Sequence, residues 1–341
     1  MNAKTLIRYV LLKLLLVVLS ILTAAACAAE PKVIKIATVA PKGSIFHRVL
    51  QDMGEATRLA MAPGARVIVY PDSIQGSEAD VVRRMRVGQL DASLLTIVGL
   101  HDIDPAVGAL QYMPMMFRSW DEVDYVREAL RPMLEEKLAA KGFVVLAWGE
   151  AGWVQFFSRD RITLPDEYRK GKIFTWAGDR QQAGLMKSLG FNPVGIQLTD
   201  IAPSLETGMV DIVPMAPIWA LVGQFDRVTH YMLPINWVPI VGAIVMRSQT
   251  YDALSPAARE ALRAASRRAG EQLRANRSVQ DQEVIRALQA RGMTVLEMTP
   301  QADRAWRALS EKAWTLIRGS MVPAETFDRA QAALAAYRAG K

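Results

Sequence analysis

Residues 171–179 read GKIFTWAGD and bring two aromatic rings onto one short segment. Aromatic and β-branched side chains favour a β-strand, and the flanking glycines favour its ends. In such a strand Phe174 and Trp176 share one face, and Thr175 points to the other. If the strand ends at a cleft, an aromatic face can stack on the apolar surface of a ligand; if it is a core strand, the rings only pack. Both interpretations stay open at this level.

Few side chains in the sequence suit acid–base or nucleophilic catalysis. The histidines are His47, His101 and His230, and the sequence has no His-Glu-x-x-His, Gly-x-Ser-x-Gly or Walker-type pattern. The HDID segment at residues 101–104 contains metal-ligand types, but such residues in a loop before proline are usually solvated. The sequence therefore predicts a binding protein without metal or cofactor rather than an enzyme. An unrecognised periplasmic hydrolase is the alternative.

The order of the predicted elements indicates an α/β protein. Strand-like segments at residues 33–39, 65–70 and 91–97 alternate with amphipathic helical segments, which is typical of a parallel sheet with crossover helices. A second set of such units begins near Gly149. RVGQLDASLL and ETGMVDIVPM both run from a helix end through glycine and aspartate into a strand. This similarity suggests two similar lobes, although unrelated helix-to-strand joints also converge on the pattern.

A long helix is predicted in the last third of the chain. Residues 255–291 are helix-forming almost without a break, and a continuous helix of that span would be about 55 Å long. Few single domains contain a helix of this length, whereas such a helix could pack against two lobes. We therefore expect a two-lobed α/β clamshell with a long lobe-bridging helix and a ligand cleft at the strand ends.

Each lobe would be built from two stretches of chain. We expect one lobe to comprise residues 30–148 and about 240–275, and the other to comprise residues 149–239 and about 276–323. The last segment, residues 324–341, looks like a frayed helical tail in solvent.

The N-terminus has the composition of an export signal. Three basic residues precede an apolar run at residues 14–26, which is shorter than the roughly 20 residues of a membrane span. An Ala-x-Ala cleavage site follows at residues 26–28, so we expect residues 1–29 to be a signal peptide for export to the periplasm. A lipidated Cys27 and an uncleaved anchor are the alternatives.

Removal of the signal peptide would take away positive charge and the cysteine, and this argues against several classes of function. The formal charge of the whole chain is +7, and loss of Lys4, Arg8 and Lys13 would reduce it to +4. No basic block with interleaved aromatics then remains, so the sequence does not predict nucleic-acid binding. The one cysteine, Cys27, would also be lost, which excludes a disulfide, a thiolate nucleophile or a cysteine-ligated metal.

The ordered segments of the chain resemble the solute-binding proteins of tripartite ATP-independent periplasmic (TRAP) transporters, the DctP-like family. The resemblance covers most of residues 34–250 and is carried by IKIATVAPKGS, VIVYPDSIQGSEADVVRRMRVGQLDASLL, LQYMPMMFRSWDEVDYV, LPDEYRKGKIFTW, LGFNPVGIQLTDIAPSLETGMVDIV and VTHYMLPI. It implies the periplasmic-binding-protein fold and a receptor that closes on a small organic solute. The implied partners are the DctQ-like and DctM-like membrane subunits of a sodium-coupled transporter. A ligand-binding partner of a membrane sensor would need the same clamshell, so this alternative stays open.

One position departs from the resemblance. In most of the family, the strand after an Asp-x-x-Lys-Gly turn ends in an arginine that holds the carboxylate of the ligand through a bidentate pair. In KGKIFTW this position is Phe174 or Thr175, depending on a one-residue gap after Gly171, and neither side chain can hold a carboxylate. The resemblance therefore implies an aromatic-rich pocket and a ligand other than the usual C4-dicarboxylates. Another cation could replace the missing one: Arg159, Arg161 or Arg180.

The expected ligand contacts come from both halves of the sequence: Phe46, Gln75, Trp153, Phe174, Trp176, Met215, Pro217 and Trp219. Gln75 lies where a helix begins, and the free N–H groups there could meet a polar ligand group. Trp219 directly follows the end of a strand. For the aromatic residues the alternative is core packing, and for the residues of the loop at 215–217 it is ordinary turn chemistry.

Overall fold

The computed structural model describes residues 32–340, without the side chains of residue 276 and residues 278–281. The predicted signal peptide, residues 1–29, lies outside the described residues. The strands, in chain order, are β1 (Val33–Thr38), β2 (Arg66–Tyr70), β3 (Ala92–Thr96), β4 (Phe143–Trp153), β5 (Gln155–Ser158), β6 (Lys172–Trp176), β7 (Asn192–Ile196), β8 (Ile212–Met215), β9 (Tyr231–Leu233), β10 (Pro239–Arg247) and β11 (Thr294–Val295).

The α-helices, in chain order, are α1 (Ile45–Ala60), α2 (Glu78–Arg86), α3 (Ile97–Ile103), α4 (Trp120–Ala140), α5 (Pro165–Tyr168), α6 (Arg180–Ser188), α7 (Ile201–Glu206), α8 (Pro217–Val222), α9 (Ser248–Ala253), α10 (Pro256–Ala290), α11 (Pro300–Ile317) and α12 (Ala324–Ala339). Short 3₁₀ turns span Pro105–Leu110, Leu198–Asp200 and Phe225–Arg227. Within residues 32–340, no helix is long and apolar enough to cross a membrane.

The first sheet has the strand order β2-β1-β3-β10-β4. Strand β1 runs parallel to β2 and β3, as the alternation of strands and helices predicts. Strand β10 comes from much later in the chain and runs antiparallel to both of its neighbours, β3 and β4. The N-terminal half of β10 therefore lies beside the C-terminal end of β3, where the helices of this sheet begin.

The second sheet has the order β11-β9-β5-β8-β6-β7. Strand β6 is parallel to β7 and β8, whereas β5 is antiparallel to β8 and β9. The C-terminal ends of β6 and β8 therefore share one edge of the sheet with the N-terminal end of β5, where Gln155 pairs with Met215. Helix α8 starts directly from this edge.

The two sheets contain the same helix-to-strand joint, as the similarity of RVGQLDASLL and ETGMVDIVPM suggests. Oδ2 of Asp91 accepts a hydrogen bond from the backbone N–H of Lys35 (2.8 Å), and the N–H of Asp91 donates to the carbonyl of Lys35 (2.9 Å). Asp211 makes the same two bonds with Lys172 (2.9 and 2.8 Å). In each sheet an aspartate thus fixes the start of one strand against the start of its parallel neighbour.

Helix α10 confirms the predicted long helix and connects the cores of both sheets. Ser255 caps it by accepting a hydrogen bond from the N–H of Ala258 (3.2 Å). Leu262 and Leu273 are buried in the core under the first sheet, and Val284 and Leu288 are buried in the core of the second. The prediction of a two-lobed α/β fold with a lobe-bridging helix is confirmed.

The expected frayed tail is wrong in one respect, because α12 is a packed helix. It contacts α4, and its residues Phe327, Ala330 and Leu334 are buried. These residues lie on one stripe at helical spacing, so they cover apolar surface instead of facing water. Near the end of α12, Nε of Arg338 also pairs with Oε1 of Glu122 at the start of α4 (2.8 Å).

Candidate functional site

The strand ends of the first sheet enclose a small cavity, and the other lobe supplies part of its wall. The cavity is lined by residues 38–40, 94–96, 149–151 and 240–242, together with Phe46, Trp219 and Leu273. Its volume is about 40 Å³, which leaves room for about three water molecules at about 10–15 Å³ each. A larger occupant fits only if side chains of the wall move aside. Phe46 and Trp219 are in contact across the cleft, so the structure is a closed form of the clamshell.

Two aromatic rings from different lobes meet at this cavity. Ser44 caps α1 by accepting a hydrogen bond from the N–H of His47 (3.3 Å), which places Phe46 in the first turn. Pro217 is the first residue of α8, where its missing N–H costs no helical bond, and Trp219 follows in the first turn. The two rings lie nearly parallel, with centroids 5.7 Å apart and an interplanar angle of 11°. They form a stacked pair that closes the cleft.

Two glycines allow the cavity walls to approach closely. A Cβ atom on Gly242 of β10 would lie 2.4 Å from the carbonyl oxygen of Leu95 on β3. A Cβ atom on Gly149 of β4 would lie 2.7 Å from Cδ1 of Leu273 on α10. Both distances are too short for any side chain unless its neighbour shifts. Glycine at these two positions therefore brings β10 and α10 against the site.

Glu150 provides the charge at the cavity. Its side chain lies on β4 and is only 3% exposed. Oε1 forms an ion pair with Nη1 of Arg127 on α4, and Nη1 of Arg277 on α10 lies 3.5 Å from Oε2. Burial raises the pKa of the Glu150 carboxyl, while Arg127 and Arg277 oppose that shift because they stabilise the charged form.

Asp124, which is half-buried, completes this network. It pairs with Nη1 of Arg127 (2.9 Å), and both of its oxygens accept hydrogen bonds from the guanidinium of Arg277. The Arg277 guanidinium also lies over the ring of Trp120, 4.9 Å from its centroid. Glu128 also pairs with Nη2 of Arg127 (3.2 Å), so three carboxylates contact the two guanidinium groups. These ion pairs hold α4, β4 and α10 together behind the cavity.

Phe46 and Trp219 are the two predicted contacts that the structure brings together at the cavity. Pro217 and Met215 lie next to Trp219 in sequence, but both are buried, Met215 in the core of the second sheet. Gln75 is half-buried, and its Oε1 accepts a hydrogen bond from Nη1 of Arg84 (3.2 Å). Trp153 is buried against Trp120, with centroids 4.9 Å apart.

The aromatic face of β6 packs inside its own lobe. Phe174 is 2% exposed and meets Trp176 edge-on, with centroids 5.3 Å apart, in the core of the second sheet. Thr175 points to the other face and is also buried. Among the described residues, those lining the cavity do not include Phe174 or Trp176. Their contacts in this closed form are therefore those of packing residues, and a role in binding stays a prediction.

Sequence reasoning missed Glu150 and Leu273, both of which line the cavity. A usable signal for Glu150 was present, since AWGEAGW places a single charge in an otherwise apolar strand. A charge in such a position is buried only when it has partners. Leu273 belongs to the predicted apolar stripe of the long helix, but nothing in that stripe distinguishes a cleft residue from a core residue.

The arginines proposed as substitutes lie elsewhere. Arg159 follows β5, and its N–H donates to the carbonyl of Asp211 (3.4 Å), at the edge of the second sheet opposite to Met215. Arg161 and Arg180 are exposed. Near the cavity, Arg127 and Arg277 are engaged by carboxylates, and Arg274, whose charge also acts on Glu150, donates to the carbonyl of Trp148 (3.5 Å).

Comparison with known proteins fits this arrangement. Residues 36–318 match the family described as bacterial extracellular solute-binding protein, family 7, or DctP. The chain belongs to this family. It is a solute-binding receptor of the TRAP type, and the resemblance noted in the sequence is confirmed. Members and structural relatives of family 7 are receptors for small molecules rather than enzymes.

Three distant relatives of this family 7 receptor match nearly its full length. The C4-dicarboxylate-binding periplasmic protein DctP of Rhodobacter capsulatus is 22% identical over 312 residues, which are 90% of this chain and 92% of the relative. DctP7 of Bordetella pertussis, an extracytoplasmic solute receptor binding pyroglutamic acid, has a TM-score of 0.80 at 16% identity, covering 89% of this chain and 99% of that one. A TRAP periplasmic solute-binding protein of Chromohalobacter salexigens, with bound D-glucuronate, has a TM-score of 0.79 at 18% identity over the same shares. At these identities the two structures establish a common fold.

Proposed function

We propose that this receptor captures a small organic solute with a flat apolar face between Phe46 and Trp219 and delivers it to DctQ-like and DctM-like membrane subunits. The observation that carries the proposal is the stacked ring pair, because its two members come from different lobes. A flat solute between them would need ring planes about 7 Å apart, twice the contact distance of about 3.5 Å. The observed centroid distance is 5.7 Å. Binding therefore requires these two side chains to move apart while the lobes stay closed around the solute.

The lining of the cavity supports a solute with apolar surface. Most of the side chains there are aliphatic or aromatic, and Phe46 and Trp219 are the largest. Aromatic pairs gain about 0.5–1.5 kcal/mol beyond the area they bury, so exchange of ring-on-ring contacts for ring-on-ligand contacts is nearly balanced. Relatives bind pyroglutamic acid and D-glucuronate, which are compact organic acids. A compact solute also fits the small volume enclosed here.

A ligand screen with matched variants tests the proposal. C4-dicarboxylates, aromatic acids and neutral metabolites would be compared by thermal shift, since a ligand of the folded state raises the melting temperature. For the solute with the largest shift, Trp219→Leu should weaken binding about tenfold or more in calorimetry. Trp314→Leu is the control, because Trp314 is also half-buried but donates to the carbonyl of Pro114 away from the cleft (2.9 Å). Equal loss in both variants would contradict the proposal.

Binding without chemical conversion is part of the proposal. The absence of catalytic motifs in the sequence and the receptor character of the family support it. Mass spectrometry of solute recovered from the protein after long incubation should return the unchanged molecule. A product peak that grows with protein concentration would support the hydrolase alternative.

Export and lobe composition are further parts of the proposal. Cleavage of residues 1–29 would release a periplasmic receptor that starts at Glu30, which N-terminal sequencing of the exported protein would reveal. We also propose that residues 30–148 and about 240–275 move as one lobe, and residues 149–239 and about 276–323 as the other. Hydrogen exchange with and without solute would map the boundary.

A further inference from the structure

Glu150 has one carboxylate oxygen without a hydrogen-bond donor among the described residues. Oε1 is taken by Arg127, whereas Oε2 is fully buried and accepts no hydrogen bond. Buried acceptors are almost always satisfied, and leaving a charged one unpaired is costly. Glu150 also lines the cavity that the Phe46 and Trp219 rings close. An unpaired acceptor at this position has the character of a ligand contact.

The neighbouring arginine does not supply the missing donor. Nη1 of Arg277 forms an ion pair with Oε2 at 3.5 Å but makes no hydrogen bond to it, because its shorter contact, 2.9 Å, is with Oδ1 of Asp124. Arg127 in turn bridges Glu150 and Asp124. If either arginine turned toward a ligand, a buried carboxylate would lose its partner. The network therefore keeps its cations occupied and leaves Oε2 without a hydrogen bond at a residue that lines the cavity.

The remaining polar groups of the cavity have other partners. The hydroxyl of Thr38 accepts a hydrogen bond from the N–H of Ala40 (3.1 Å), and the hydroxyl of Thr96 donates to Oε2 of Glu78 (2.6 Å). Among the described residues lining the cavity, Glu150 is the only charged one. The main polar group available to a solute in this cavity is thus the Glu150 carboxylate, and the side chains around it are mostly apolar.

Resting on the proposed receptor function, we infer that the solute donates an N–H hydrogen bond to Oε2 of Glu150 while its flat apolar side lies against Phe46 and Trp219. The solute class is a small planar amide or a related N–H donor. A carboxylate in the same place would face a like charge in a poorly solvated site, which disfavours binding. Glu150 is then the residue that sets specificity, and it selects for a donor where much of the family selects for an acceptor.

Three probes of similar size test this inference on the intact protein. Benzamide carries the N–H donor, methyl benzoate lacks it, and benzoate replaces it with a negative charge. In calorimetry, benzamide should bind about tenfold or more tighter than methyl benzoate, which is the usual discrimination from one hydrogen bond to a charged group. Benzoate should bind most weakly.

Glu150→Gln provides the matched variant, because it keeps the shape and the acceptor for Arg127 while turning an amide NH₂ toward the cavity. The variant should lose the preference for benzamide and gain affinity for benzoate. Glu271→Gln removes an exposed carboxylate from α10 and should keep the order of the native protein. If Glu150→Gln does not fold, the order of the three affinities for the native protein still tests the inference.

The outcomes separate the two proposals. Tightest binding of benzoate, or equal binding of benzamide and methyl benzoate, overturns the role of Glu150 while the receptor function stands. Binding of none of the probes, together with no thermal shift from the wider solute panel, overturns the receptor function proposed for the ring pair. Affinities that fall in the order benzamide, methyl benzoate, benzoate support both the role of Glu150 and the receptor function.

Discussion

The phenol of Tyr112 donates a hydrogen bond to Oδ2 of Asp179 across 3.2 Å. Tyr112 lies between α3 and α4, whereas Asp179 caps α6 of the second lobe by accepting from the N–H of Gln182 (2.9 Å). Both side chains are buried. Because the partners belong to different lobes, this bond belongs to the closed form and is lost when the cleft opens.

Tyr112→Phe should therefore weaken solute binding. The substitution keeps the ring against His101, whose centroid is 5.2 Å away, and removes only the hydroxyl. Loss of about 1 kcal/mol from the closed form corresponds to about fivefold weaker affinity. The control is Tyr168→Phe, which removes a hydrogen bond to the carbonyl of Ile162 within one lobe (3.3 Å) and should leave affinity unchanged. An affinity of Tyr112→Phe equal to that of the native protein would refute the closing role.

Asp179→Asn should stabilise the protein more at neutral than at acidic pH. Burial raises the pKa of Asp179, against the lowering effects of the Gln182 N–H and the Tyr112 hydroxyl. Of the charged groups around it, His101 also lowers the pKa and Asp102 raises it. The folded state thus binds more protons than the unfolded chain, and stability falls as pH rises from about 4 through the raised pKa.

Urea unfolding at about pH 4 and about pH 7 measures this dependence. The asparagine keeps its oxygen as the acceptor for the Gln182 N–H, can donate its NH₂ to the phenol oxygen of Tyr112 and cannot ionise, so its advantage over the native protein should appear mainly at the higher pH. Asp252→Asn, which removes an exposed carboxylate, is the charge-matched control. An advantage that is larger at the lower pH would have the wrong sign for this explanation.

Gly242→Ala should destabilise the first sheet. Its Cβ would lie 2.4 Å from the carbonyl oxygen of Leu95, and backbone on both strands would have to move. Overpacking of this kind costs about 1–3 kcal/mol. Gly184→Ala in α6 is the control, because the added methyl group meets no atom within 4 Å and should stabilise the helix by about 0.5–1 kcal/mol. Similar unfolding midpoints for the two variants would show that β3 and β10 tolerate separation.

Arg127→Met should destabilise the protein by about 3–5 kcal/mol, because it leaves the Glu150 carboxylate buried without its main partner. Arg131→Met, one turn later on the exposed face of α4, should cost less than about 1 kcal/mol. Combining Arg127→Met with Glu150→Gln should recover part of the loss, since no charge then remains unpaired. Denaturant unfolding of the three variants gives these differences. Simple additivity in the double variant would argue against a coupled pair.

Much of the fold follows from local pattern. The strand and helix segments, the long helix and the paired joints at Asp91 and Asp211 all have sequence signals within about ten residues, where propensity and capping act. The sequence did not predict the packing of α12, because the alanines of this helix give only a weak apolar stripe. Contact with α4 shows which side of the helix is buried. Helical spacing alone does not reveal whether another element covers the face.

The site was less accessible from sequence. Phe46 and Trp219 follow the ends of strands, so their approach to the cleft could be expected from topology. Phe174 and Trp176 also approach a strand end, but in a parallel strand covered by helices both faces are apolar, and the pattern does not say which one meets a cleft. Glu150 depends on Arg127 and Arg277, which come from helices on either side of it in the chain. Such a constellation appears only when the fold is assembled.

The long helix has a geometric consequence for the two lobes. Leu273 lies on its stripe toward one core and Val284 on its stripe toward the other. Each residue turns the helix by about 100° and advances it by about 1.5 Å. One residue inserted between these positions would swing one stripe about 100° out of phase, whereas seven would nearly restore the angle and lengthen the rod by about 10 Å. The number of residues between Leu273 and Val284 therefore sets the angle at which the two sheets face each other. An insertion or deletion that preserves this angle must add or remove a nearly whole number of helical turns.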